Sequence, residues 1–180
     1  MLVVPEAITI EIAKFATTLS VGSFPVVVPV SPAHGAVHLS CWQNVQQVCS
    51  TEGGQPVKGW RIWWIPQILI EAQAHVVWRS PADDLTDVTP NEDDEQICVF
   101  LSDPSMPEQP GKDFVASRHE NLCGESFVDE YIRCAIAVAR HEDTVRTTGL
   151  WLPDPPEAAI QRQELQRIAE FQQRLREAGN

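Results

Sequence analysis

Two neighbouring runs, Val57–Ile65 and Ile68–Trp78, constrain the fold of this chain more than any other feature. Both are rich in Ile, Val and Trp, which suit the pleated, half-buried surface of a sheet, and only Pro66–Gln67 separates them. A third strand is expected near Leu85, after the turn signal Ser80–Pro81–Ala82–Asp83, and a fourth over Ile97–Leu101. Before them, Ser23 to His38 holds Pro25, Pro29 and Pro32 around Val26–Val28 and reads as an extended connection or edge strand.

Helices flank these strands. From Glu6 to Leu19 the positions Ile8, Ile12, Phe15, Ala16 and Leu19 match a helical face, although Ile8, Ile10 and Ile12 also alternate as a strand would. Ser40 with Gln43 is a capping-box pair and Gly53–Gly54 supplies the stop, which places Cys41 in the first turn of a helix. Asp103 to Gly111, with Pro104, Pro107 and Pro110, is a loop. Ser126 and Asp129 then cap a helix whose face is Phe127, Val128, Tyr131, Cys134, Ala135, Val138 and Val145. Asp154–Pro155–Pro156–Glu157 opens a last helix to about Ala178, with Leu165, Ile168, Phe171 or Gln172, and Leu175 on one face. This order indicates an α+β fold with an antiparallel sheet. At 180 residues one domain is expected, a core at about 23–101 and a helical part at about 112–180.

With 13 Lys and Arg against 25 Asp and Glu the net charge is −12, which argues against nucleic acid and anionic lipid as partners. The acid concentrates in Asp83, Asp84, Asp87, Glu92, Asp93, Asp94 and Glu95, a solvated loop without the spacing of a calcium site. No apolar run approaches the roughly 20 residues that span a bilayer, and no basic leader precedes an apolar segment. The five cysteines are an odd number without C-x-x-C pairs, so a reduced, cytoplasmic setting is expected, without disulfide framework, metal or cofactor. His119 and Cys123, four apart, would supply two ligands where a closed zinc site takes four.

Three residues carry possible chemistry: Cys41 at the helix start, His75 within the second run, and Asp87 twelve residues on. A helix N-terminus favours a thiolate, an imidazole can take and return a proton, and a carboxylate behind it orients the ring. A loop centred near Pro81 sets His75 opposite Asp87, where cross-strand Cβ atoms lie about 4.5–5.5 Å apart, and a slip of one residue would break the pairing. Glu71, Gln73, His75 and Val77 share one strand face, and Ile70, Ala72, Ala74, Val76 and Trp78 the other. Trp42, Asn44, Trp60, Glu71 and Gln73 are the expected substrate-binding residues, and His34 and His38 are candidates to assist an oxyanion site. Five of the six tryptophans (Trp42, Trp60, Trp63, Trp64 and Trp78) fall in this window and read as walls and floor of one site, with core as the alternative for Trp78 and for whichever of Trp63 or Trp64 points inward.

Cys41 on a helix, Gly53–Gly54–Gln55–Pro56–Val57 entering a strand, then His75-Val-Val-Trp78 and Asp87-Val-Thr-Pro90, resembles the transglutaminase-like branch of the papain-like cysteine superfamily. The chain is also similar to little-characterised bacterial proteins with Cys-x-x-Asn-Val, Gly-Trp-x-Ile-Trp, His-x-Val-Trp-x-Ser-Pro and Asp-Val-Thr-Pro, matched here through Asn44, Val45, Gly59, Trp60, Ile62, Trp63, Ser80 and Pro81. The resemblance covers Ser40 to Pro90 and implies a papain-like core with the nucleophile at a helix N-terminus packed on an antiparallel sheet, two C-terminal helices being additional. It implies a Cys41–His75–Asp87 triad and an acyl-thioester intermediate, in a thiol protease, amidase, deamidase or transglutaminase-type enzyme. A protein or peptide substrate is expected, neutral or basic because the acidic segment adjoins Asp87. A second class stays open: a non-catalytic module that binds a protein through a Trp-rich surface and the C-terminal helix.

Overall fold

The computed structural model describes residues 2–91, 95–107 and 114–178. Glu92, Asp93 and Asp94 of the acidic segment, Pro110 and Gly111 of the expected loop, and Lys112 at the expected start of the helical part lie outside them. The chain is α+β with an antiparallel arrangement of its main strands. It divides into two compact units, one of residues 2–64 and 71–115, the other of residues 65–70 and 116–178 among those described. No described helix is long and apolar enough to cross a membrane.

The first unit opens with α1 (Ile10–Leu19). Thr9 caps it by accepting from the Ile12 N–H at 3.4 Å, so the helix starts later than Glu6; Ile8 and Ile10 are exposed while Ile12, Phe15 and Ala16 are buried. Then follow β1 (Val26–Pro29), α2 (Cys41–Glu52), β2 (Gln55–Ile65), β3 (Leu69–Arg79), β4 (Leu85–Thr86) and β5 (Ile97–Ser102). The strand order is β1-β5-β2-β3-β4, and β1 is an edge strand, as its prolines require. The two edges then meet, because Asp87 bridges Val30 in parallel: its N–H donates to Pro29 O, and its carbonyl accepts from Ser31 N, each at 2.9 Å. Val28, Val77, Cys98 and Phe100 fill the space this curl encloses.

Helix α2 packs Val45 and Val48 on Val76 and Val88, with Trp42, Cys49 and Trp78 at the margin. Ser40 is its N-cap, but the expected capping box is not formed: Ser40 has φ −116° and ψ 41°, outside the extended torsions that aim a cap oxygen at the first turn, and makes no side-chain cap bond. Gly53 ends the helix at φ +77°, its N–H returning to Cys49 O at 3.1 Å. At Gly54 a Cβ would lie 2.2 Å from Arg79 O, so only glycine lets the chain pass that close to the end of β3.

The second unit holds residues 65–70, β6 (Arg118–Asn121), α3 (Ser126–Thr148) and α4 (Pro156–Ala178). Polar Arg-His-Glu-Asn carries no apolar alternation, so β6 was not legible; it pairs with β3, and just past it Leu122 N–H donates to Ile68 O at 2.8 Å. His119 thus lies on a strand and Cys123 in the turn after it, so the pair lacks helical spacing. In α3 the N-cap is Glu125 without a side-chain cap bond, so Ser126 begins the helix rather than capping it. Phe127, Val128, Tyr131 and Cys134 are buried as expected. In α4 Ile168 is buried, but Leu165 is 40% exposed and Glu164 takes the interior place beside it, held by Arg167 at 2.8 Å. Phe171, not Gln172, completes the face by meeting Phe127 edge-to-face at 5.6 Å between ring centres.

Candidate active site

Everything at the site follows from how short β4 is. It pairs with β3 only at Trp78 and Arg79, because Asp87 leaves β3 to bridge Val30. Val76 lies beyond that pairing, and its N–H acts electrostatically on the thiol of Cys41 at the start of α2 instead. The observed register sets Trp78 against Thr86, two residues from the one that would put His75 directly opposite Asp87. A shift of two preserves which face each side chain takes, so the carboxylate reaches the imidazole diagonally.

Asp87 is fully buried and its Oδ2 accepts from His75 Nε2 at 2.9 Å. Its Oδ1 accepts the Thr89 N–H at 3.0 Å, and Arg61 Nη1 stands 3.6 Å from Oδ2. Burial works against the ionised form, yet His75, the Thr89 amide and Arg61 hold the carboxyl below its usual range. An ionised carboxylate only accepts, so His75 donates from Nε2 and presents Nδ1 to the thiol. For His75, burial alone would lower the pKa; the Asp87 carboxylate and the hydrogen bond to Cys41 reverse this and raise it to about 9. For Cys41 burial pushes the thiol up, but the hydrogen bond and charge of His75 and the Val76 N–H outweigh it and leave the thiol below its ordinary value. The result favours a thiolate–imidazolium pair. Cys98 contrasts with it: burial, with the Asp87 carboxylate beside it, pushes that thiol up to about 12.

The pair opens into a cleft of about 400 Å³ lined by His38, Leu39, Cys41, Arg61, Trp63, Gln73, Ala74, His75, Thr89, Pro90 and Asn91. Of the five expected substrate-binding residues only Gln73 lines it. Trp42 packs at the margin of the α2 cluster, and Trp60 is buried with its Nε1 donating to Asp103 Oδ2 at 2.9 Å. Glu71 is buried and accepts from Gln73 Nε2 at 2.9 Å. The tryptophans are therefore not the walls of one site: Trp63 alone lines the cleft, Trp78 donates to Gly53 O at 3.0 Å, and the Trp64 backbone pairs with Val3. His38 lines the cleft and binds Pro90 O through Nδ1 at 3.1 Å, whereas His34 is exposed away from the lining.

Asn44 turns out to be a brace. Its Oδ1 accepts the Val37 N–H at 2.9 Å, while Nδ2 donates to Val37 O at 2.8 Å and to Thr89 Oγ1 at 3.2 Å. One side chain thus ties α2 to the loop before Cys41 and to the segment after Asp87. Asn44→Ala leaves the buried Thr89 hydroxyl without this partner and unties the exposed Val37 backbone, and should cost about 1–2 kcal/mol, read as a lowered urea midpoint at unchanged slope.

Arg61, which is not among the expected site residues, lines the cleft beside Asp87. A lone cation in the apolar run Gly59-Trp-Arg-Ile-Trp63 was a signal, because it shares with Trp63 the face that meets Gln73 and His75. The Val76 amide could not have been found, since a backbone N–H is the same in every residue. Compared with family models, curated proteins and solved structures, the chain finds no match.

Proposed function

We propose that the protein is a thiol-dependent hydrolase or acyltransferase acting on an amide or peptide-type bond, built on a papain-like or transglutaminase-like core. The observation that carries this reading is the Asp87–His75 hydrogen bond with Cys41, at the N-terminus of α2, lining the same cleft as His75 and held below its ordinary pKa by it. In this reading the Cys41 thiolate attacks the substrate carbonyl carbon. The oxyanion that forms faces first-turn amides of α2, whose first internal bond runs from Asn44 N–H to Ser40 O. His75 Nδ1–H gives its proton to the amine as the C–N bond breaks, leaving an acyl-thioester. Water, deprotonated by His75, or an acceptor amine then attacks the thioester and releases Cys41. A reducing, cytoplasmic setting suits a chain whose five cysteines are all unpaired. The net charge of −12 favours a protein or peptide substrate that is neutral or basic as a whole, and α4 is the element offered to a protein partner.

The decisive test is selective alkylation. Iodoacetamide near neutral pH should label Cys41 well ahead of Cys134, and Cys41→Ala should abolish both that labelling and any acyl adduct seen by intact mass. A Cys41 no more reactive than Cys134 would remove the nucleophile from the reading. Turnover should follow a bell-shaped pH profile: it rises as the depressed Cys41 group ionises and falls as His75 loses its proton near pH 9.

A further inference from the structure

Among the cleft-lining residues Arg61 has the least complete hydrogen bonding. Its side chain is 7% exposed, and its Nη1 faces Asp87 at 3.6 Å. Its Nε and Nη2 are buried without a hydrogen-bond partner among the described residues. A guanidinium stays charged at all accessible pH, and a buried donor left unpaired is costly, more so when charged. Nε and Nη2 form one edge of the guanidinium, with two parallel N–H groups that match the two oxygens of a carboxylate. The Trp63 ring lies 4.3 Å from Cζ and holds the guanidinium plane. Among the described residues neither Asp nor Glu lines the cleft, Asp87 is engaged with His75 and Nη1, and Glu71 is engaged with Gln73.

We propose that the Nε–Nη2 edge of Arg61 is a carboxylate-recognition subsite, so that the acyl donor carries a carboxylate close to the bond that Cys41 attacks. This rests on the reading of Cys41 as nucleophile and names the substrate class for it. The acidic field of the whole chain acts on the whole substrate, whereas this edge acts on one group at short range. Both nitrogens are shielded from solvent, so the carboxylate reaches them only as neighbouring side chains shift.

The test uses four thiol reagents with one warhead: bromoacetyl-glycine, bromoacetyl-β-alanine and the primary amide of each. In every case the Cys41 thiolate attacks the CH₂ carbon, the C–S bond forms as C–Br breaks, and bromide leaves. Rates on Cys41 are read by intact mass and divided by each reagent's rate with free cysteine. At least one carboxylate reagent should react about tenfold faster than its amide, the lower end of what a charge-assisted bidentate contact supplies. In R61Q that ratio should fall to one or below, and in R61K, a point charge without the fork, it should lie between. Without a subsite the net charge of −12 slows the anionic reagents, so a ratio of one or less in the wild-type protein overturns the proposal. Rapid reaction with the amides at such a ratio overturns the subsite alone. Reaction of Cys41 with none of the four overturns the nucleophile and the subsite together.

Discussion

Asp87→Asn is expected to lower kcat/KM by about a thousandfold to ten-thousandfold while the protein stays folded. The amide keeps the size of the carboxylate but not its charge, so only the smaller contribution of Cys41 then offsets the burial that disfavours the imidazolium. The alkaline limb of the pH profile should move down from near 9 in the same variant. An Asn variant with wild-type kcat/KM and an unmoved limb would reduce Asp87 to a structural group. Asp87→Ala goes further, because it leaves His75 and Arg61 buried without their anion and the Thr89 N–H without an acceptor. About 3–5 kcal/mol of stability should be lost, seen in urea denaturation. The pH dependence of stability has a definite sign. The His75 contribution is complete below the ordinary imidazole value of about 6.5 and fades as pH rises through about 9. The Asp87 contribution holds above the ordinary carboxylate range and is lost as pH falls through the depressed native value. The depressed Cys41 thiol acts with the opposite sign over the same range, so the decline in Tm above about pH 6.5 should show in Cys41→Ala, and adding Asp87→Asn should flatten it.

Gly59→Ala should be the most destabilising single methyl in the chain's sheet. Gly59 sits on β2 opposite Ser102 of β5, where an added Cβ would lie 2.0 Å from Leu101 O and 2.7 Å from Phe100 Cζ. The nearest obstacle is backbone, so no rotamer change relieves it, and β2 must part from β5 by more than a packed sheet allows. A loss of about 4 kcal/mol is expected, with Trp60 and Arg61 displaced on the same strand and the Cys41 alkylation rate falling with them. Gly35→Ala is the control: its Cβ would meet nothing within 4 Å, and only its φ of +76° resists, so about 1 kcal/mol should be lost. If both variants melt together, the close approach at Gly59 is not what holds the two strands in place.

Particular residues show how much was legible beforehand. Both long strands were located to within two residues, since runs of Ile, Val and Trp leave little other option, and Gly53 marked the end of α2. The capping box failed because side-chain type does not report backbone torsion: Ser40 stands at the cap without the φ and ψ that aim its hydroxyl. Likewise Trp60 and Asn44 carry polar groups suited to substrate contact, but tertiary neighbours, Asp103 for one and Val37 with Thr89 for the other, occupy those groups first. Leu165 and Glu164 exchanged roles on α4 because a helix turns 100° per residue, and a small rotation decides which of two neighbours faces inward.

The sequence by itself determined the α+β class, the order of β1 to β5 along the chain and the side of β2 and β3 on which their residues stand. These depend on local periodicity, which a chain carries wherever it goes. It also determined that His75 and Asp87 share a face, since a register error of two residues leaves that parity intact. The tertiary structure alone decided that β4 stops after two residues, that Asp87 returns to Val30, and that the Val76 N–H thereby acts on the Cys41 thiol. It alone turned one edge of the Arg61 guanidinium into an unpaired pair of donors beside the cleft. Those outcomes depend on which backbone groups distant segments satisfy and which they leave over, and no local pattern records that account.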